Sequence, residues 1–240
     1  MLELKEKILR AHGGHRWSEV AEVLACCSVG GFEFLTRLQH KPLRSVDVHL
    51  NLQQGRLGFS AYPEPGCTAV FSPGEVWIED KDNGRLAERR YAGRRASGQW
   101  LLWDQLDVLY FVGSWLWQAL QLPFLLDAPG VASTGQAAAT VGGEHWQRLD
   151  VRFPDELAML APEQTVYADS TGLIRRIDYA PPSAGPWVKV AQCWEGHESF
   201  GGFIYPTRRV IYPCMVTGHL WRLTPLSWLT LDDVSVVRRG

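Results

Sequence analysis

The stretch CWEGHE, Cys193 to Glu198, sets three ligand-type side chains at every second position. In an extended strand Cys193, Glu195 and His197 project from one face. Such a trio could hold a metal ion, or Glu195 and His197 could act as an acid/base pair. The glycines around it, Gly196, Gly201 and Gly202, fit better with a polar hairpin end facing water. No metal is expected there, and His197 stays a candidate proton carrier because an imidazole titrates near neutral pH. HGGH, His12 to His15, has two imidazoles, but a glycine-capped helix end explains the glycines and leaves both histidines as surface groups.

Two arginines make the sharper pattern. In LIRRIDY the set Leu173, Arg175, Ile177 and Tyr179 shares a face, and in IYPTRRVIYP the set Ile204, Arg208, Val210 and Tyr212 does the same. VKVAQCW places Gln192 between Val190 and Trp194. A guanidinium among apolar neighbours must lie at a rim, pair with a carboxylate, or face a cavity that receives an anionic or carbonyl-bearing ligand. A rim or ion-paired place suits either arginine alone, whereas Arg175 and Arg208 taken together with Tyr179, Tyr212 and Gln192 are candidates for the shared polar end of an apolar pocket. Eleven tryptophans are available for its walls, Trp77, Trp117 and Trp194 among them. The cofactor fingerprints GxGxxG, the P-loop, HExxH, GxSxG and CxxC are all missing, so no cofactor is expected.

The elements that position these residues read as follows. A short helix, Leu2 to Ala11, precedes a run of alternating strands: RSVDVHLNLQQG puts Val46, Val48, Leu50 and Leu52 on one face, and HWQRLDVRF does so with Leu149, Val151 and Phe153. Asp82-Asn83-Gly84 marks a tight hairpin, and Ser170 to Gly172 another. The meander is broken once, by an uncharged segment from Val108 to Leu126. Asp104, Asp107, Ser114, Gln118 and Gln121 form one polar stripe along it, which a lipid-facing helix would not carry. Asp104 reads as its N-cap, and Pro123 ends it near Gln121. About nine antiparallel strands around this buried helix predict an α+β fold, a strongly curved sheet wrapped as an open half-barrel, in a single domain over 1–240.

Composition narrows the partners. A formal net charge of -2 with scattered basic doublets gives no reason to expect nucleic acid. The helix stripe argues against membrane insertion. An odd count of five cysteines, two of them adjacent, argues for reduced thiols, and with no signal-like N-terminal segment this predicts a cytoplasmic location. Oligomeric state has no signature in the sequence.

The segments AHGG, WDQLDVLYFVGSWLWQALQLPFLL, GGEHWQRLDVRFP, YADSTGLIRRIDY and FGGFIYPTRRVIYP resemble a family of poorly characterised bacterial proteins of similar length. The order of elements is similar to the lipoprotein-carrier (LolA-like) architecture, an open half-barrel with helices against its concave face and an apolar cavity. It also resembles, more distantly, the cytoplasmic violacein-pathway enzyme that rearranges an indole-derived intermediate without a cofactor. What this implies is a hydrophobic or aromatic small molecule as partner. The expected function is that of a cofactor-free cyclase, isomerase or rearrangement enzyme of secondary metabolism. There Arg175 and Arg208 would polarise a carbonyl or carboxylate, while Tyr179, Glu79 or His197 moves a proton. The alternative is a non-catalytic binder of a lipid or hydrophobic metabolite, the arginines holding its head group; in either case Gln192, Trp194, Tyr212, Trp77 and Trp117 would contact the bound molecule.

Overall fold

The computed structural model describes residues 2–39, 43–82, 84–90, 102–159, 161–181, 188–215 and 219–239. Asn83 of the expected hairpin and the Arg94-Arg95 doublet lie outside them, as does the side chain of His15. Helix α1 (Leu2–Ala11) ends where expected, at Gly13 and Gly14, with φ of 112° and 53°. Strand β1 (Val20–Gly30) and the short helix α2 (Phe32–Thr36) follow. A meander comes next: β2 (Leu43–Asn51), β3 (Arg56–Ser60), β4 (Cys67–Ser72), β5 (Glu75–Asp80) and β6 (Gly84–Arg90). Helix α3 (Gln105–Gln121) then leads to a second meander. Its strands are β7 (Ala132–Val141), β8 (Glu144–Arg152), β9 (Glu163–Ala168), β10 (Ile174–Tyr179), β11 (Lys189–Phe200), β12 (Phe203–Cys214) and β13 (Ser227–Arg238).

The described strands number thirteen rather than nine, and they join in one antiparallel sheet of order β6-β5-β4-β3-β2-β1-β13-β12-β11-β10-β9-β8-β7. Two of the additions, β1 and β7, lack the period-two signature. In β1 the sequence VAEVLACCSVG is, apart from Glu22, apolar or small on both faces, and in β7 the run ASTGQAAATV has no large apolar side chain before Val141. The two meanders meet only where β1 pairs with β13, from Val20 opposite Arg238 to Gly30 opposite Trp228. The edges are therefore β6 and β7, which are consecutive in sequence, so the chain between them has to cross a face of the sheet. That crossing is α3.

Packing around α3 bends the sheet. Strands β4 and β9 are eight positions apart in the sheet order, about 38 Å along a sheet with ~4.8 Å between strands. Yet Phe71 of β4 lies against Gly113, and Gln164 of β9 bonds Gln118 at 3.1 Å. Those two helix positions are only about 7.5 Å apart along the axis. Both strands reach the same turns of one helix only if the sheet curls around it. The architecture is α+β, a strongly curved, open antiparallel half-barrel around a buried helix.

Capping fixes where that helix starts. Asp104 accepts from the Asp107 N–H at 2.9 Å and the Asp107 carboxylate accepts from the Asp104 N–H at 3.2 Å, a complete capping box. Arg89 of β6 bridges both carboxylates. The rest of the polar stripe is buried and satisfied inside the protein: Ser114 donates to Tyr110 O, Gln121 to Trp117 O, and Gln118 pairs with Gln164. No helix of the described residues is long and apolar enough to cross a membrane.

Close approach of sheet and helix depends on one residue. A Cβ on Gly113 would sit 2.6 Å from two ring atoms of the fully buried Phe71. Gly113→Ala should therefore cost about 1–3 kcal/mol in urea unfolding despite its better helix propensity. Phe71→Leu in the same chain should recover part of that loss; a Gly113→Ala chain as stable as the parent would refute the contact.

Candidate functional site: a buried polar layer beneath the helix

Four of the sequence-derived site residues lie off the concave face. Alternation along β12 is opposite to the expected one: Phe203, Tyr205, Arg209 and Ile211 point inward. Val210 and Tyr212 form a small separate cluster with Cys193 on the convex face. Arg208 shares that convex face, is exposed, and meets Glu195 at 3.8 Å. Trp77 and Glu79 are convex as well, since Val76 and Ile78 supply the inward face of β5. The guanidiniums of Arg56 and Arg85 lie over the Trp77 ring, 5.3 and 4.7 Å from its centroid, and the indole donates to Glu79. Both strands carry apolar residues at odd and even positions, so periodicity alone could not choose the face.

Arg175, Tyr179, Gln192, Trp194, His197 and Trp117 occupy the other side or its margin. Tyr179 and Trp117 are core groups; the Trp117 indole donates to Leu157 O at 3.0 Å, and burial pushes the Tyr179 phenol far above its ordinary range. Arg175 is tied to Asp169 at 2.6 Å. Gly196, at φ 65°, breaks the alternation of β11, so Cys193 and Glu195 face outward while His197 turns in. The expected three-residue face does not exist. His197 donates from Nε2 to Ile174 O at 2.9 Å and accepts at Nδ1 from Arg175 at 3.2 Å. Burial and the neighbouring Arg175 charge hold this imidazole down at about 4.

His12 is fully buried rather than at the surface. Its Nδ1–H donates to Ile204 O at 2.9 Å and its Nε2 accepts from the Ile174 N–H at 3.1 Å, stapling α1 to β10 and β12. Desolvation lowers this imidazole to about 4. His12 lies edge-on to Trp194 at 6.2 Å and to His197 at 6.0 Å.

The centre of the layer is Arg209, a residue with zero exposure. It sits directly across from Trp194 in the β11–β12 register, with its guanidinium 4.7 Å from the indole centroid. Nη2 donates to Ala119 O near the end of α3. The need for that bond is written in the sequence: the helical partner of Ala119 O would be the N–H of residue 123, and Pro123 has none. Tyr205 answers the next carbonyl, donating to Leu120 O at 3.1 Å. Two donor nitrogens of Arg209, Nε and Nη1, are buried without a partner among the described residues, and so is Gln192 Nε2, whose Oε1 accepts from Trp194 at 2.7 Å. Trp115 Nε1 is a further buried donor without an acceptor. Burial holds the guanidinium down at about 9, and among the described residues no carboxylate forms an ion pair with it.

The hollow itself is closed. Leu109, Val112, Trp115, Leu116 and Leu120 of α3 are essentially unexposed against the concave face. Two depressions of about 280 Å³ and 300 Å³ lie elsewhere, one beside α2 and the loop after β12, the other between α1 and the β7–β8 hairpin. Among the described residues, packed side chains around a cluster of unsatisfied donors stand in place of the expected open cavity.

This geometry defines a class of fold. No family model and no curated protein matches the chain. Solved structures do: a LolA superfamily protein from Nitrosomonas europaea has a TM-score of 0.53 at 11% identity, covering 100% of this chain and 94% of that one. A domain assigned to outer membrane lipoprotein sorting from Vibrio parahaemolyticus has a TM-score of 0.57 at 10% identity, over 98% and 91% of the two chains. A DUF1329 family protein from Desulfovibrio piger has a TM-score of 0.53 at 11% identity, over 98% and 92%. The chain therefore has the LolA-like fold, and at these identities the likeness is one of fold alone.

Proposed function

We propose that the protein binds a hydrophobic or aromatic small molecule between α3 and the concave face of the sheet, in the cytoplasm, with Arg209 and Gln192 meeting an acidic or carbonyl end of the ligand. The observation that carries this reading is a guanidinium at zero exposure whose Nε and Nη1 find no acceptor among the described residues. A buried cation with two orphan donor nitrogens is costly, and an incoming oxyanion would satisfy it together with Gln192 Nε2. The apolar residues facing α3 would take the rest of the ligand as the helix loosens. Structures of the same fold include a protein assigned to lipoprotein sorting, which fits an apolar cargo. The five unpaired cysteines fit a reducing compartment.

Cofactor-free cyclisation, isomerisation or rearrangement at the same place is the alternative. It is weaker, because both nitrogens of His197 are engaged, Tyr179 is a neutral core phenol, and Glu79 lies on the other face. The test is a matched series of long-chain or aromatic carboxylates, alcohols and hydrocarbons titrated against tryptophan fluorescence. Carboxylates should bind at least about tenfold more tightly than the alcohols, as a charge-assisted hydrogen bond predicts. Equal affinity across the series would remove Arg209 from the site, and release of a changed product would favour the enzyme.

A further inference from the structure

Six of the ten large apolar side chains exposed among the described residues gather at one end of the half-barrel. Phe32, Leu35 and Leu38 lie on and just after α2, and Met215, Trp221 and Leu223 on the loop between β12 and β13. The two segments are continuous in space, since Phe32, Met215 and Trp221 line one groove of about 280 Å³. Leu223 is 86% exposed, more than any other large apolar side chain described. An apolar surface of this extent calls for a partner.

Charge identifies its chemistry. The sequence of residues 32–45 and 213–226 contains Arg37, Lys41, Arg44 and Arg222 but a single acid, Glu33. The Glu33 carboxylate is already held by Arg37 at 3.2 Å and by the Ser227 hydroxyl at 3.1 Å. Arg44 and Arg222 are exposed, and so is Lys189 at the neighbouring end of β11. The patch thus presents apolar tips, an indole and a basic rim, and its two segments contain no acid beyond Glu33; Glu195, which like Arg222 lies near Tyr212, is met by Arg208 at 3.8 Å. We propose that this end of the protein docks on the surface of an anionic phospholipid bilayer. Trp221 and Leu223 enter the headgroup boundary while Arg222 and Arg44 meet lipid phosphates. The contact is peripheral and needs no spanning helix.

Flotation with vesicles tests it. The chain should rise with phosphatidylcholine vesicles containing about one part in three phosphatidylglycerol, and bind pure phosphatidylcholine at least about fivefold less. Added salt should weaken the binding. Leu223→Glu, a substitution at an exposed loop position whose folding is checked by circular dichroism, should reduce it about tenfold. Arg222→Glu should reduce it and flatten the salt dependence. Failure to float with either vesicle would overturn the proposal, as would unchanged flotation of Leu223→Glu. A dimer in light scattering that Leu223→Glu converts to monomer would also overturn it, by giving the patch to a second copy of the chain.

Discussion

Arg209→Met should give a more stable protein that binds acidic ligands poorly. Burial lowers the guanidinium from 12.5 to about 9, which corresponds to roughly 5 kcal/mol of disfavour for the charged form. Methionine fills most of the same volume without that charge. Against the gain stand the lost bond to Ala119 O, about 1 kcal/mol, and the stacking on Trp194, about 1–2 kcal/mol. The net expectation is about 2 kcal/mol of added stability in guanidinium unfolding, raising the thermal midpoint by about 5 °C. Carboxylate affinity should fall ten- to a hundredfold, roughly the worth of one charge-assisted hydrogen bond, while alcohols of the same length keep theirs. A function held at a cost in stability would show this opposition. A variant that is instead several kcal/mol less stable would make Arg209 a structural cap of α3 and leave the ligand proposal without its main support.

Sequence alone reveals the helix and its surroundings well, and the site only in part. The limits of α3, the Asp104 cap, the stop before Pro123 and the inward sets of β2 and β8 all follow from periodicity and from two residues with strong local rules. Periodicity points to the strand that carries the buried arginine but to its exposed neighbour, Arg208, rather than to Arg209. Arg208 and Arg209 differ by one position, and a one-residue shift exchanges the faces of a strand. Their neighbours, Ile204, Val210 and Tyr212 on one side and Phe203, Tyr205 and Ile211 on the other, are equally apolar. The deciding signal lay ninety residues away, in the Ala119 carbonyl that Pro123 leaves without an N–H. Such a requirement becomes specific only once the fold sets β12 under the end of α3. His12 was concealed for a similar reason: nothing local distinguishes a histidine after a helix from one whose ring closes two backbone gaps far along the chain.

Acid titration should expose that histidine. His12 is about 4 in the folded protein against 6.5 in the unfolded chain, so between these values the unfolded state binds the additional proton. Stability then rises with pH across this window; equivalently, the contribution of neutral His12 is complete above pH 6.5, shrinks on acidification, and is gone by about pH 4. The amount at stake is roughly 3 kcal/mol for this one group. His197, lowered in the same direction by burial and by Arg175, adds to the slope, with a discount for its partial exposure. Asp169 and Asp104 are held below their usual 3.8, so their contributions fade at lower pH than the window of interest. His12→Phe keeps a ring against Trp194 but leaves Ile204 O and the Ile174 N–H unsatisfied, a cost of about 3 kcal/mol at pH 7.5. The parent and variant stability curves, measured by urea unfolding from pH 7.5 to 4, should therefore converge as the pH falls. Parallel curves would mean that His12 titrates normally, which its two backbone hydrogen bonds and zero exposure do not allow.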